Sequence, residues 1–95
     1  MSKMKSFHVT YDGDSDVLYI SVRKAPAARG IEDGYGIVWR YDGDGELIGA
    51  TIVGFHDDWF NNRPTLSDEI SRRFEIPSQQ ARVIVDQAMN GTGAD

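Results

Sequence analysis

Tyr11-Asp12-Gly13-Asp14-Ser15-Asp16 recurs thirty positions later as Tyr41-Asp42-Gly43-Asp44-Gly45-Glu46, and each copy runs straight into an apolar stretch. Those stretches are Val17-Leu18-Tyr19-Ile20 and Leu47-Ile48-Gly49-Ala50-Thr51-Ile52-Val53. An Asp/Gly turn between apolar runs favours a β-hairpin, because glycine tolerates positive φ and aspartate bonds the turn's own amides. The near-duplicate therefore predicts two similar hairpins and commits the first half of the chain to antiparallel sheet. It names no function.

Periodicity fills in the strands. Ser6–Tyr11 alternates, with Phe7, Val9 and Tyr11 on one face and His8 and Thr10 on the other. Val17–Arg23 follows the first turn. Lys24-Ala25-Pro26-Ala27-Ala28-Arg29-Gly30 interrupts pairing, since proline lacks the donor a ladder requires. A third strand is expected from Ile31 to Tyr41, with Gly34 and Gly36 marking a bulge or close approach. Leu47–Phe55 is the fourth. The expected order is an antiparallel four-stranded meander over 7–55.

Past Phe55 the period changes. His56 to Pro64 reads as a connection carrying Trp59 and Phe60. Thr65 then caps a helix with Asp68 near its positive end, and Leu66, Ile70 and Phe74 form one stripe. Pro77 ends it, because the residue before a proline avoids helical angles. Ser78 caps a second helix with Ala81, Ile84, Val85, Ala88 and Met89 on its apolar face, closed at Asn90-Gly91, with 91–95 frayed. Two helices over 65–90 packing on one face of the sheet make an α+β fold, and 1–95 reads as a single domain.

Composition narrows the class. At 95 residues, only about 60–65% of the unfolded surface can be buried, so a partner subunit would add stability. There is no cysteine, which removes disulfides, thiolate catalysis and cysteine-based zinc sites. No apolar run approaches the roughly 18 residues of a membrane span, and the N-terminus has no secretory apolar region. A cytoplasmic location is expected. The net charge of −5 argues against a nucleic-acid partner, and Arg63, Arg72, Arg73 and Arg82 read as a solvated helix face.

The sheet faces point to a partner. Strands two and four carry apolar residues on both sides: Leu18, Ile20 and Val22 against Val17 and Tyr19, and Ile48, Ala50 and Ile52 against Leu47, Val53 and Phe55. A sheet with one wet face alternates instead. A second copy of the chain is the simplest cover, which predicts a homodimer with Trp59, Phe60, Val17 and Tyr19 as candidate interface residues.

Three chemical readings bear on the acidic turns, the histidines and the aromatics. Asp12, Asp14 and Asp16, and again Asp42, Asp44 and Glu46, share the alternating spacing of an EF-hand loop. The sixth positions are Val17 and Leu47 where that loop needs glycine, and the twelfth are Arg23 and Val53 where it needs glutamate. Turn chemistry accounts for both copies; a weakly held divalent cation or small ligand at these turns is the alternative, and no cofactor is expected. His56-Asp57-Asp58 pairs an imidazole with carboxylates, yet Ser15, Ser21 and Thr51 have no nucleophile context, so no enzyme is expected. Trp39, Trp59, Tyr35, Tyr41 and Phe60 suit packing better than a stacking platform for bases.

The string Tyr11-Asp12, Asp16-Val17-Leu18-Tyr19-Ile20, Gly36-Ile37-Val38, Tyr41-Asp42, Asp44-Gly45-Glu46-Leu47-Ile48-Gly49 and Ile52 resembles the small bacterial domain of unknown function 2283. The resemblance covers about 7–55, with Ala50 where the family more often has isoleucine or valine. The tail from Trp59 onward lies outside it. It implies a compact antiparallel-sheet domain with no assigned activity. Because some relatives accompany small toxin-like proteins, it also implies a partner-binding, antitoxin-like role. The expected function is a homodimeric, non-catalytic interaction or regulatory module.

Overall fold

The computed structural model describes residues 6–22 and 26–92. The strand end expected at Arg23, the loop at Lys24 and Ala25, and the frayed end at 93–95 lie outside the described residues. The element order is β1 (His8–Asp12), β2 (Val17–Ser21), β3 (Arg29–Glu32), β4 (Ile37–Tyr41) and β5 (Leu47–Val53), then α1 (Phe55–Trp59), a 3-10 turn (Phe60–Asn62), α2 (Arg63–Phe74) and α3 (Ser78–Thr92). The class is α+β as expected, with five strands in place of four.

The extra strand comes from the stretch expected as one strand between Ile31 and Tyr41. Asp33-Gly34-Tyr35-Gly36 folds it back on itself. Gly36 takes φ +81, which only glycine adopts easily. The Asp33 carboxylate accepts the amides of Tyr35 at 2.8 Å and Ile37 at 3.1 Å, which closes the turn. Arg29 then pairs with Tyr41 and Glu32 with Val38. Gly34 and Gly36 serve a turn, not a bulge.

Strand order departs from a meander. The sheet is antiparallel throughout, in the order β1-β2-β5-β4-β3, so β2 lies beside β5 and not beside the strand that follows it. Burial explains the choice. A central strand is covered on both edges, and β2 and β5 carry the two most apolar runs. The polar strands β1 and β3 are left at the rims.

Directly opposed residues share a face, so the register assigns every side chain. One row runs Val9, Ile20, Ala50, Trp39, Ile31, and another Tyr11, Leu18, Ile52, Ile37. These rows meet the helices. Leu18, Ile52, Ile37 and Trp39 pack there with Phe55, Leu66, Ile70, Phe74, Ala81 and Val85. The outer face carries Thr10, Tyr19, Thr51, Val38 and Glu32 in one row, with Asp12, Val17 and Val53 in the next.

The outer face is less apolar than the strand pattern alone predicts. Leu47 packs against the core, after a register shift at Arg40/Tyr41. Phe55 is not in β5 at all: Gly54, at φ +68, ends the strand and turns the chain into α1 with Phe55 buried.

Helix α2 begins at Arg63, two residues before the expected cap Thr65, because Pro64 fits the first helical turn. Leu66, Ile70 and Phe74 are buried as one stripe. Glu75 ends the helix in the left-handed region at φ +56, and the Ser71 hydroxyl donates to the Ile76 carbonyl at 2.7 Å. Helix α3 runs through Gly91 to Thr92, past the expected stop at Asn90-Gly91. No helix among the described residues is long and apolar enough to cross a membrane.

Candidate functional site

The acidic turns hold backbone. In the second copy, Asp42 Oδ1 accepts the amides of Asp44 and Glu46, each at 2.9 Å, and Gly45 at φ +82 donates to the Asp42 carbonyl. That is an Asp turn held by its own amides. In the first copy, Asp12 Oδ1 accepts the Asp14 amide at 3.1 Å. The left-handed residue there is Asp16, at φ +57, one position later than Gly45 in the repeat.

That offset aims Asp16 at a distant partner. Its carboxylate accepts the Tyr11 hydroxyl at 2.6 Å, the His56 amide at 2.8 Å and the Asp57 amide at 3.0 Å. Its carbonyl accepts the Phe55 amide at 3.0 Å. Asp16 thus satisfies the first three N–H groups of α1, a task that Gly54 at the helix entrance has no side chain to perform. The hairpin and the helix are one wired unit.

The electrostatics follow from that wiring. Burial pushes the Asp16 carboxyl upward, but the Tyr11 hydroxyl and the His56 and Asp57 amides outweigh it and hold the group below the usual carboxylate range. The hydrogen bond to Asp16, with burial and the nearby negative charge, lifts the Tyr11 phenol to about 12. Asp33 behaves alike. Burial is outweighed by the Trp39 indole N–H at 2.8 Å, by the amides of Ile37 and Tyr35, and by the Arg73 charge.

Asp33 is the site residue that patterning missed. The signal was available, since Asp33-Gly34 repeats the Asp-Gly pair of both acidic turns. The alternating hydrophobicity of Ile31–Tyr41 reads as one continuous strand and masks it.

No group of three or more His, Asp or Glu side chains that could hold a metal ion occurs among the described residues. Asp12, Asp16 and Asp42 each accept N–H or O–H donors on their carboxylates, which is the turn chemistry expected at these positions ahead of cation binding. The His56 ring stacks on Phe60 at 5.0 Å, while His8 sits on β1. Trp39 is enclosed, edge-on to Phe74 and covered by the Arg73 guanidinium at 4.9 Å, so it offers no stacking platform.

Arg72 and Arg73 converge on one carboxylate, the buried Glu69, with Arg73 at 3.8 Å. Arg63 lies over the Phe60 ring at 4.9 Å, and Arg73 also covers Trp39. Arg82 shares a shallow groove with Arg63 and Asp86.

The candidate interface residues separate. Trp59 is 5% exposed and packs into its own core beside the Tyr35 ring, because α1 turns inward where an open connection was expected. Trp59 is therefore not an outward anchor. Val17 is buried beside Val53 in the outer rows. Tyr19, 41% exposed, and Val53, 52% exposed, form uncovered sheet surface, and Phe60, 42% exposed, stands on the 3-10 turn. A second uncovered region is a groove of about 480 Å³ between β1 and α3, lined by Phe7, Val9, Tyr11, Val83, Ile84 and Ala88.

Among known proteins, a family model described as Protein of unknown function (DUF2283) matches residues 8–55. No curated protein and no solved structure matches the chain.

Proposed function

The chain belongs to the DUF2283 family of proteins of unknown function, and on that premise we propose that it is a non-catalytic interaction module that works as a homodimer and regulates a protein partner. One observation carries the reading. Asp16 and Asp42 hold a helix end and a turn, while apolar side chains stay uncovered on the outer sheet face and in the β1/α3 groove. Contiguous apolar surface left open on a folded domain is what a binding protein offers. The family resemblance supplies the form, an antitoxin-like hold on a small protein.

The test is a mass measurement on the purified full chain by sedimentation equilibrium, with capture experiments from its own cells alongside. A dimer that retains a stoichiometric protein, and loses it on Tyr19→Lys with an unchanged circular dichroism spectrum, supports the reading. A monomer at high concentration that captures nothing ends it.

A further inference from the structure

Resting on the homodimer reading, we infer that two copies of this chain join by antiparallel pairing of their β1 edge strands about a two-fold axis at Thr10, making one continuous ten-stranded sheet. The evidence lies in what that register places together. With Thr10 opposite its own copy, Val9 faces Tyr11 of the second copy, and His8 faces Asp12. On the helix side, an apolar pair then extends the rows that already form the core. On the outer side, imidazole N–H donors meet carboxylate acceptors twice, with Thr10 against Thr10 between them. A two-fold axis needs such a self-complementary patch, and the five residues of β1 supply it.

The surroundings agree. Helix α3 packs over β1, and the apolar groove between them contains the exposed Val9 and Val83. Joining two β1 strands brings two such grooves together across the axis, so each copy covers the other's Val9 and Tyr11. The opposite edge is less suited. Every residue of β3 is exposed, its apolar Ile31 included, whereas Tyr11 of β1 is half-buried, and Arg29 is already engaged with the Tyr41 ring at 5.7 Å. An edge strand with unpaired backbone groups is a ready template for another chain, and here the flanking groove makes one template preferred.

The absence of cysteine makes the test direct. In an antiparallel pair, opposed Cα atoms stand about 4.5–5.5 Å apart, within disulfide reach. Thr10→Cys is expected to form a covalent dimer under mild oxidation, whereas Ile31→Cys and Val53→Cys are not. His8→Asp, which sets like charges opposite each other twice, is expected to weaken self-association about ten-fold, and His8→Lys to preserve it. A dimer that crosslinks through position 31 or 53 and not through 10 overturns the β1 register but leaves the homodimer reading standing. A wild-type chain that sediments as a monomer overturns both.

Discussion

Asp16 and His56 stand forty residues apart in the chain, and the carboxylate of the first accepts the amide of the second at 2.8 Å. A residue that resembles one more acidic turn position is the cap of a helix it does not belong to. Asp16→Ala strips the first turn of α1 of its side-chain acceptor and leaves the Tyr11 hydroxyl without its partner. The expected loss is about 2 kcal/mol, read as a lower urea midpoint with an unchanged slope. Asp42→Ala, which removes the acceptor of the Asp44 and Glu46 turn amides, is expected to cost about half as much.

The pH dependence has a definite sign on each limb. Asp16 and Asp33 are both held below their usual range in the folded chain. Their contribution is present above the unfolded carboxylate value of about 3.9 and is lost as pH falls through the lower folded values. Tyr11 is raised to about 12. Its contribution is complete below about 10 and is lost as pH climbs toward the folded value. Thermal melts from pH 2 to 5 are expected to flatten in Asp16→Asn. Ultraviolet titration is expected to lose its latest tyrosine in Tyr11→Phe.

Asp33 ties the β3–β4 turn to the Trp39 indole. Asp33→Ala leaves the enclosed indole N–H unsatisfied and opens the turn, at an expected cost of about 2–3 kcal/mol. A changed tryptophan emission spectrum in the folded variant would report the indole directly. An unchanged spectrum with wild-type stability would contradict the assignment.

Gly49 of β5 lies opposite Ser21 of β2. A Cβ there would stand 2.8 Å from the Ile20 carbonyl oxygen, and backbone cannot swing aside as a side chain can. Gly49→Ala is expected to destabilise by about 2 kcal/mol or more through separation of β2 from β5. Gly43→Ala, with nothing within 4 Å, is the control and should fall within about 0.5 kcal/mol of wild type.

Calcium is expected to leave the melting temperature unchanged. The carboxylate oxygens of Asp12 and Asp42 face turn amides and would have to give up those bonds to ligate an ion. A calcium-dependent rise in melting temperature that disappears in Asp14→Asn and Asp44→Asn would reopen the cation reading.

Local patterning was sufficient wherever neighbours in sequence decide the outcome. The two Asp/Gly turns, the stripe Leu66, Ile70 and Phe74, and the α3 face from Ala81 to Met89 are all set by spacing, because turn chemistry and helical period act within a few residues. Decisions made between distant residues stayed hidden. Pairing of β2 with β5 depends on which two runs bury best together, and Trp59 turned inward only because Asp16 starts a helix at Phe55. The fold of Ile31–Tyr41 into two strands was a local event that alternating hydrophobicity masked. The binding surfaces belong to the last class. Which apolar residues remain uncovered is known only after the core has taken its share, so the β1/α3 groove exists in the tertiary structure and nowhere in the order of residues.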